Sequence, residues 1–299
     1  MNKQKPPVTQ PAQGEKIQVS ASFYPLFFFA KEIGKDKADV RNITPSGVEP
    51  HDYDPTAQDI VNIQKSKILI VNGAGFEPWL EKIKNDLGGV IIVNTTEGVN
   101  LHKGKDEHHG KEHKEESKKK HEELSYDPHV WLSPVLAKSQ VDKILQAYIQ
   151  VDPDNKAYYE SNAKSLKEKL DRLDRKFKQG LASCEKKSFV TSHAAFGYLA
   201  AEYNLTQVPI SGLSPDEEPS PRDMARITEF VRDNNIKFIF FETLVSPKLS
   251  ETIANEAGAE TLVLDPIEGL SENNIKQGKN YFTIMDSNLQ NLRKALECK

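Results

Sequence analysis

Residues 17–23 alternate apolar and polar side chains with the period of a strand, and residues 24–33 that follow carry the spacing of a helix. The alternation then repeats. Residues 38–44 form a weaker strand pattern, and 45–55 are punctuated by Pro and Gly in the manner of a loop. Helical spacing returns over 56–65, a continuous apolar run over 67–72 reads as a buried strand, 78–87 as a helix, and 89–95 as another strand. Strands separated by helices predict a parallel sheet covered on both faces.

Residues 102–123 break this pattern. They hold five His, seven Lys and seven Asp or Glu and nothing that could enter a core, so a mobile insertion is expected. Structure resumes near Tyr126. Residues 133–150 predict a helix capped by Ser133 with Pro134 in its first turn, and a longer one runs from 154 to about 182, with Leu166, Leu170, Leu173 and Phe177 on one stripe. A second series follows, with strands at 188–192, 206–210, 236–241 and 260–264 and helices at 194–203, 221–234, 247–257 and 281–297. The fold class expected is α/β: two similar lobes, each a roughly four-stranded parallel sheet flanked by helices, joined by one long helix. The divisions are a lead-in at 1–15, an N-terminal lobe at 16–150 interrupted by the insertion 102–123, a linking helix at 151–182 and a C-terminal lobe at 183–299. One continuous sheet is the alternative, which the long helix disfavours.

Composition narrows the function less than the pattern does. Across 299 residues, 40 Lys and Arg against 44 Asp and Glu leave a net charge of -4, which gives no basis for a nucleic-acid partner. The longest apolar runs, at 27–30 and 238–241, are far too short to span a bilayer. Residues 1–15 contain nothing to bury and read as a disordered tether. Cys184 and Cys298 permit a single pairing, which in an oxidising compartment would pin the last helix to its lobe; free thiols are the other possibility.

The histidines carry the chemistry. Five of the eight, His102, His108, His109, His113 and His121, lie in the charged insertion. The other three, His51, His129 and His193, each fall at a strand exit or in the loop after it, and Asp265 occupies a similar place after the last strand. Ligand sites of doubly wound sheets lie beyond the carboxyl ends of strands, so two facing lobes would bring these four loops to one cleft. Three imidazoles and a carboxylate suit Zn(II), with Mn(II) the less well matched alternative. Separations of 78, 64 and 72 residues exclude a finger-type site and fit one assembled from distant loops. Each position alone has a plainer role: His51 and His129 as surface or capping residues, His193 as a hydrogen-bonded core imidazole, Asp265 as a turn cap before Pro266. Four protein donors also leave no place for a catalytic water.

At these residues the chain resembles the bacterial ABC-transporter solute-binding proteins that capture zinc or manganese, and among them the zinc-uptake lipoproteins of Gram-positive bacilli. The resemblance runs from about residue 16 to the C-terminus. It rests on Gly47-Val-Glu-Pro-His51-Asp-Tyr-Asp-Pro-Thr56, Tyr126-Asp-Pro-His129-Val-Trp131-Leu-Ser-Pro134, Thr191-Ser-His193-Ala-Ala-Phe-Gly-Tyr198 and Leu264-Asp265-Pro266. It implies a buried metal between two lobes, ligated by His51, His129, His193 and Asp265, with water or a nearby Glu replacing the last in some zinc members. His at position 193 and a His-rich insertion imply zinc, and the insertion histidines are given an accessory metal-binding role. The resemblance further implies a monomer that hands zinc to an ABC permease and its ATPase, and an exported protein held at the outer face of the cell membrane by a lipidated Cys. No such Cys is present, and the chain is read as starting after it.

Asp52, Asp127 and Glu242 are candidates to orient the imidazoles, and the long helix is expected to resist wide opening of the lobes. Two other classes remain open: a zinc hydrolase with Asp265 as base, and a surface adhesin that binds independently of metal.

Overall fold

The computed structural model describes residues 16–104 and 126–299; the expected lead-in and all of the insertion beyond Gly104 lie outside the described residues. The first sheet is built from β1 (Ile17–Ala21), β2 (Ala38–Asn42), β3 (Ile68–Val71) and β4 (Ile91–Asn94), all parallel, in the order β2-β1-β3-β4. The second uses β5 (Ser188–Thr191), β6 (Thr206–Pro209), β7 (Phe238–Phe241) and β8 (Glu260–Val263) in the equivalent order β6-β5-β7-β8. Two lobes of four parallel strands are therefore present, as the alternation of patterns implied.

Helices α1 (Tyr24–Gly34), α2 (Ala57–Lys65), α3 (Leu80–Ile83) and α4 (Pro134–Val151) accompany the first sheet. Helices α6 (Gly197–Glu202), α7 (Pro221–Asp233), α8 (Lys248–Ala257), α9 (Glu272–Lys276) and α10 (Tyr281–Ala295) accompany the second. Between them runs α5 (Lys156–Gly180), 25 residues long. Local chemistry sets several of these ends. Thr56 and Asp59 satisfy each other's backbone amides at the start of α2, and Asn280 and Thr283 do the same for α10. The Ser133 hydroxyl accepts from the Leu136 amide ahead of Pro134, and Gly258, left-handed at φ 74°, closes α8.

Two helices are shorter than their patterns suggested. Over 78–87 only Leu80–Ile83 is α-helical and a 3-10 turn follows, since Asn85, Asp86 and two glycines favour turns. In the second lobe α6 starts at Gly197 rather than 194, because the Ala194 amide donates to the Gly212 carbonyl and holds that stretch open.

The inner faces of the two sheets share one apolar mass. It joins Val19 and Ala21 of β1, Phe29 of α1, Tyr148 of α4, Phe189 of β5, Phe240 of β7 and Leu292 of α10. The buried stripe of α5, at Tyr159, Ala163, Leu166, Leu170, Leu173 and Phe177, lies inside it. Smaller clusters cover the outer faces, one around Leu69 and Val71, the other around Val190 and Ile239. Cys184 and Cys298 are joined, fixing the end of the chain to the segment that follows α5. Among the described residues no helix is long and apolar enough to cross a membrane. All the strands point their carboxyl ends toward the loops that carry the candidate ligands.

Candidate metal centre

His51 lies in the loop after β2. That loop is tied across the lobes, because the Leu270 carbonyl accepts from both the Gly47 amide (3.0 Å) and the Ser46 hydroxyl (2.5 Å). The His51 amide donates to Glu49 Oε1 at 3.2 Å, and its ring meets Phe76 edge-on at 4.6 Å.

His129 sits just before α4. The preceding carbonyl, of Pro128, accepts from Asn72 Nδ2 at 2.9 Å, which anchors the segment to the end of β3. Asp127 Oδ1 then accepts from the His129 amide (2.9 Å) and ring Nδ1 (2.8 Å). His193, two residues beyond β5, is held the same way: Nδ1 donates to Glu242 Oε1 at 2.6 Å, and the Ser192 hydroxyl donates to that oxygen too. An ionised carboxylate only accepts, so both rings carry a proton on Nδ1 and turn Nε2 inward. Asp127 and Glu242 thus orient the imidazoles. Asp52 is exposed and takes no such part.

The fourth member of the group is Glu268. His51, His129, His193 and Glu268 place their donor atoms within 4.8 Å of one another. Asp265, expected in that place, is engaged elsewhere: Oδ1 accepts from the Ile267 amide at 2.7 Å and Oδ2 from the Thr243 hydroxyl at 2.9 Å. Its main chain is clamped by Asn288, which accepts from the Asp265 amide and donates to its carbonyl. The Trp131 indole donates to the next carbonyl, of Pro266, at 2.7 Å. Ile267 follows at φ 60°, a left-handed conformation costly for a β-branched residue, on the order of 1–3 kcal/mol. The turn that Asp265 caps sends the next carboxylate, three residues on, into the cleft. A Glu at that distance bears no motif spacing of its own, and only the strained turn distinguishes it from Asp265.

Burial is nearly complete. His129 and His193 are 0% exposed, Glu268 1%, and the His51 side chain 4%. Burial alone would keep the imidazoles neutral, and it does hold His51 below the ordinary histidine value despite Glu268. At His129 burial is outweighed by Asp127 and Glu268, which raise it. At His193 burial is outweighed more strongly by Glu242 and Glu268, which lift it well above 6.5. Burial also opposes charge on Glu268, but the surrounding imidazoles, His193 foremost, pull it well below the usual carboxyl value. Glu49 is pushed up to about 9 by burial and by the charge of Glu268, so it adds no second anion at neutral pH.

The dimensions point to an ion. His51 Nε2 and His193 Nε2 are each 3.3 Å from His129 Nε2, and Glu268 Oε1 is 3.2, 3.2 and 3.4 Å from the His51, His129 and His193 nitrogens. Tetrahedral zinc with bonds near 2.0–2.1 Å separates its ligands by about 3.3 Å. Glu268 Oε2 is buried with no hydrogen-bond partner, an orphaned oxygen among three inward-facing nitrogens. A divalent cation satisfies all of these groups at once.

Residues 19–295 match the family described as zinc-uptake complex component A, periplasmic. The chain belongs to this family. The high-affinity zinc uptake system protein ZnuA of Bacillus subtilis (strain 168) is 43% identical over 290 residues, covering 96% of this chain and 90% of that protein. The zinc-binding lipoprotein AdcA of Streptococcus pneumoniae is 39% identical over 284 residues, 94% of this chain; the chain spans only 56% of that longer protein. The crystal structure of the Zn(II)-bound ZnuA-like domain of AdcA superposes with a TM-score of 0.79 at 37% identity, covering 95% of this chain and all of that one (100%). A zinc-uptake component is a solute-binding transport protein and not an enzyme.

Of the insertion histidines, only His102 is described. It stands apart from the four-donor group, exposed, with its ring stacked on Tyr198 at 4.2 Å. His108, His109, His113 and His121 lie outside the described residues.

Proposed function

We propose that His51, His129, His193 and Glu268 hold one Zn(II) ion in the interlobe cleft, and that the loaded chain delivers it to an ABC permease driven by its ATPase. The observation that carries this reading is the set of donor separations near 3.3 Å around an orphaned carboxylate oxygen. Three nitrogens and one oxygen at tetrahedral spacing suit Zn(II) better than Mn(II), which prefers more oxygen ligands. The set fills four positions and leaves none for an attacking water, which suits cargo rather than catalysis.

Asp127 and Glu242 raise the basicity of the inward nitrogens by accepting from the opposite ring face. Zinc loading expels the protons held on the raised imidazoles, so capture is favoured as pH rises. The working state is a monomer held to the outer face of the membrane through a lipidated N-terminus. With the inner core shared between lobes, release proceeds through the ligand loops. The insertion histidines gather zinc weakly and feed the cleft. Competitive titration of Zn(II) and Mn(II) against the purified chain, repeated on His193→Glu, tests this: zinc preference at one tight equivalent is expected, with a shift toward manganese in the variant. A chain that binds neither metal tightly would sink it.

A further inference from the structure

Glu268 belongs to the second lobe, yet first-lobe donors hold the chain on either side of it. Two residues before it, the Pro266 carbonyl accepts from the Trp131 indole at 2.7 Å. Two residues after it, the Leu270 carbonyl accepts from the Gly47 amide at 3.0 Å and the Ser46 hydroxyl at 2.5 Å. The turn between these anchors needs outside support, because Ile267 stands at φ 60°. The second-lobe side chains Thr243 and Asn288 grip Asp265, three residues short of the carboxylate that faces the imidazoles.

Trp131 is committed to the second lobe twice. Besides its indole bond to Pro266, its own carbonyl accepts from the Tyr281 hydroxyl of α10 at 2.6 Å. Its ring is fully buried, tilted against the His129 imidazole at 5.1 Å and edge-on to Phe76 at 5.4 Å, and Phe76 in turn meets His51. A buried indole N–H needs an acceptor, and this one finds it in the turn that leads to the fourth donor. One side chain therefore backs two imidazoles and braces the carboxylate opposite them. We propose that Trp131 and Ser46 are positioning residues for Glu268, setting from the first lobe where its carboxylate stands relative to His51 and His129. This rests on the zinc-capture reading above. The ligand set then divides three to one: His51, His129 and the seat of Glu268 share the first-lobe framework, while His193 is fixed within the second lobe by Glu242.

The test measures Zn(II) affinity of the full chain by competition with a chelator of known strength. Trp131→Phe keeps a ring in the core but removes the N–H, and should weaken zinc about 10-fold. Ser46→Ala leaves the Gly47 bond in place and should cost about 3-fold. Both substitutions are then repeated in a Glu268→Gln background. Effects that pass through Glu268 should shrink there to less than about 2-fold, whereas an effect of the smaller ring on His129, or a general loosening of the fold, would persist. Equal losses in both backgrounds, or no loss in the parent chain, would overturn the positioning role. Should Trp131→Phe fail to fold, Ser46→Ala carries the same decision. A Glu268→Gln chain that binds zinc as tightly as the parent would count instead against the capture reading itself.

Discussion

Gly197→Ala probes the support of the centre without touching a ligand. An added methyl would sit 2.7 Å from Asp127 Oδ2, against about 3.5 Å for a relaxed contact. Asp127 must shift by roughly 0.5–1 Å, which distorts its 2.8 Å bond to His129 Nδ1. Loss of such an outer partner typically costs 10- to 100-fold in metal affinity, about 1.4–2.7 kcal/mol. The local backbone pushes the other way. Gly197 is the first residue of α6, where Ala is the better helix former by up to about 1 kcal/mol, so the metal-free fold should not suffer. Zinc affinity is read by competition with a chelator of known strength, and the metal-free melting temperature is measured alongside. Unchanged affinity in a folded variant would refute the claim that the Asp127 seat governs His129. A fall in melting temperature matching the loss of affinity would refute the separation of site from scaffold.

Glu268→Gln should weaken zinc by more than about 100-fold, beyond what an outer partner costs, whereas Asp265→Ala should keep one tight equivalent and instead lower stability by about 1–3 kcal/mol in urea, through the Ile267 amide it leaves unpaired. Equal loss of affinity in both variants would contradict the assignment of Glu268. His129 and His193 are raised in the metal-free fold, so their contribution to its stability is full below pH 6.5 and is lost as pH rises through the raised values. Depressed Glu268 contributes above 4.5 and loses its effect as pH falls through its lowered value. The increase in melting temperature on adding zinc should therefore grow from pH 6 toward pH 8, and a flat profile would count against imidazole ligation. Reducing the Cys184–Cys298 bond, which closes a separation of 114 residues, should cost about 2–5 kcal/mol of stability while leaving zinc stoichiometry at one.

The repeated strand and helix patterns were enough to read both lobes, because β1 alternates with the period of a strand, β3 and β7 are short apolar runs and α5 carries an uninterrupted buried stripe. His51, His129 and His193 were legible as strand-exit residues, and the structure brings them together. Glu268 was not. Its place depends on Ile267 adopting a left-handed turn and on the Asn288 clamp from α10, neither of which leaves a mark in local spacing. Asp265 adjoins a Pro after the last strand and so looked the better donor, while its own amide and carboxylate were committed to that turn. The early end of α3 and late start of α6 depend likewise on local turn residues and on the Ala194–Gly212 bond between distant segments.

A single apolar mass behind both sheets leaves no seam along which one half could come away without exposing the interior of the other. Parting the halves would expose that shared interior, so a single cooperative melting transition is expected. On the proposed reading, an ion held between the strand ends of both sheets would brace the two halves together, and its release would fall to the loops that carry His51, His129, His193 and Glu268.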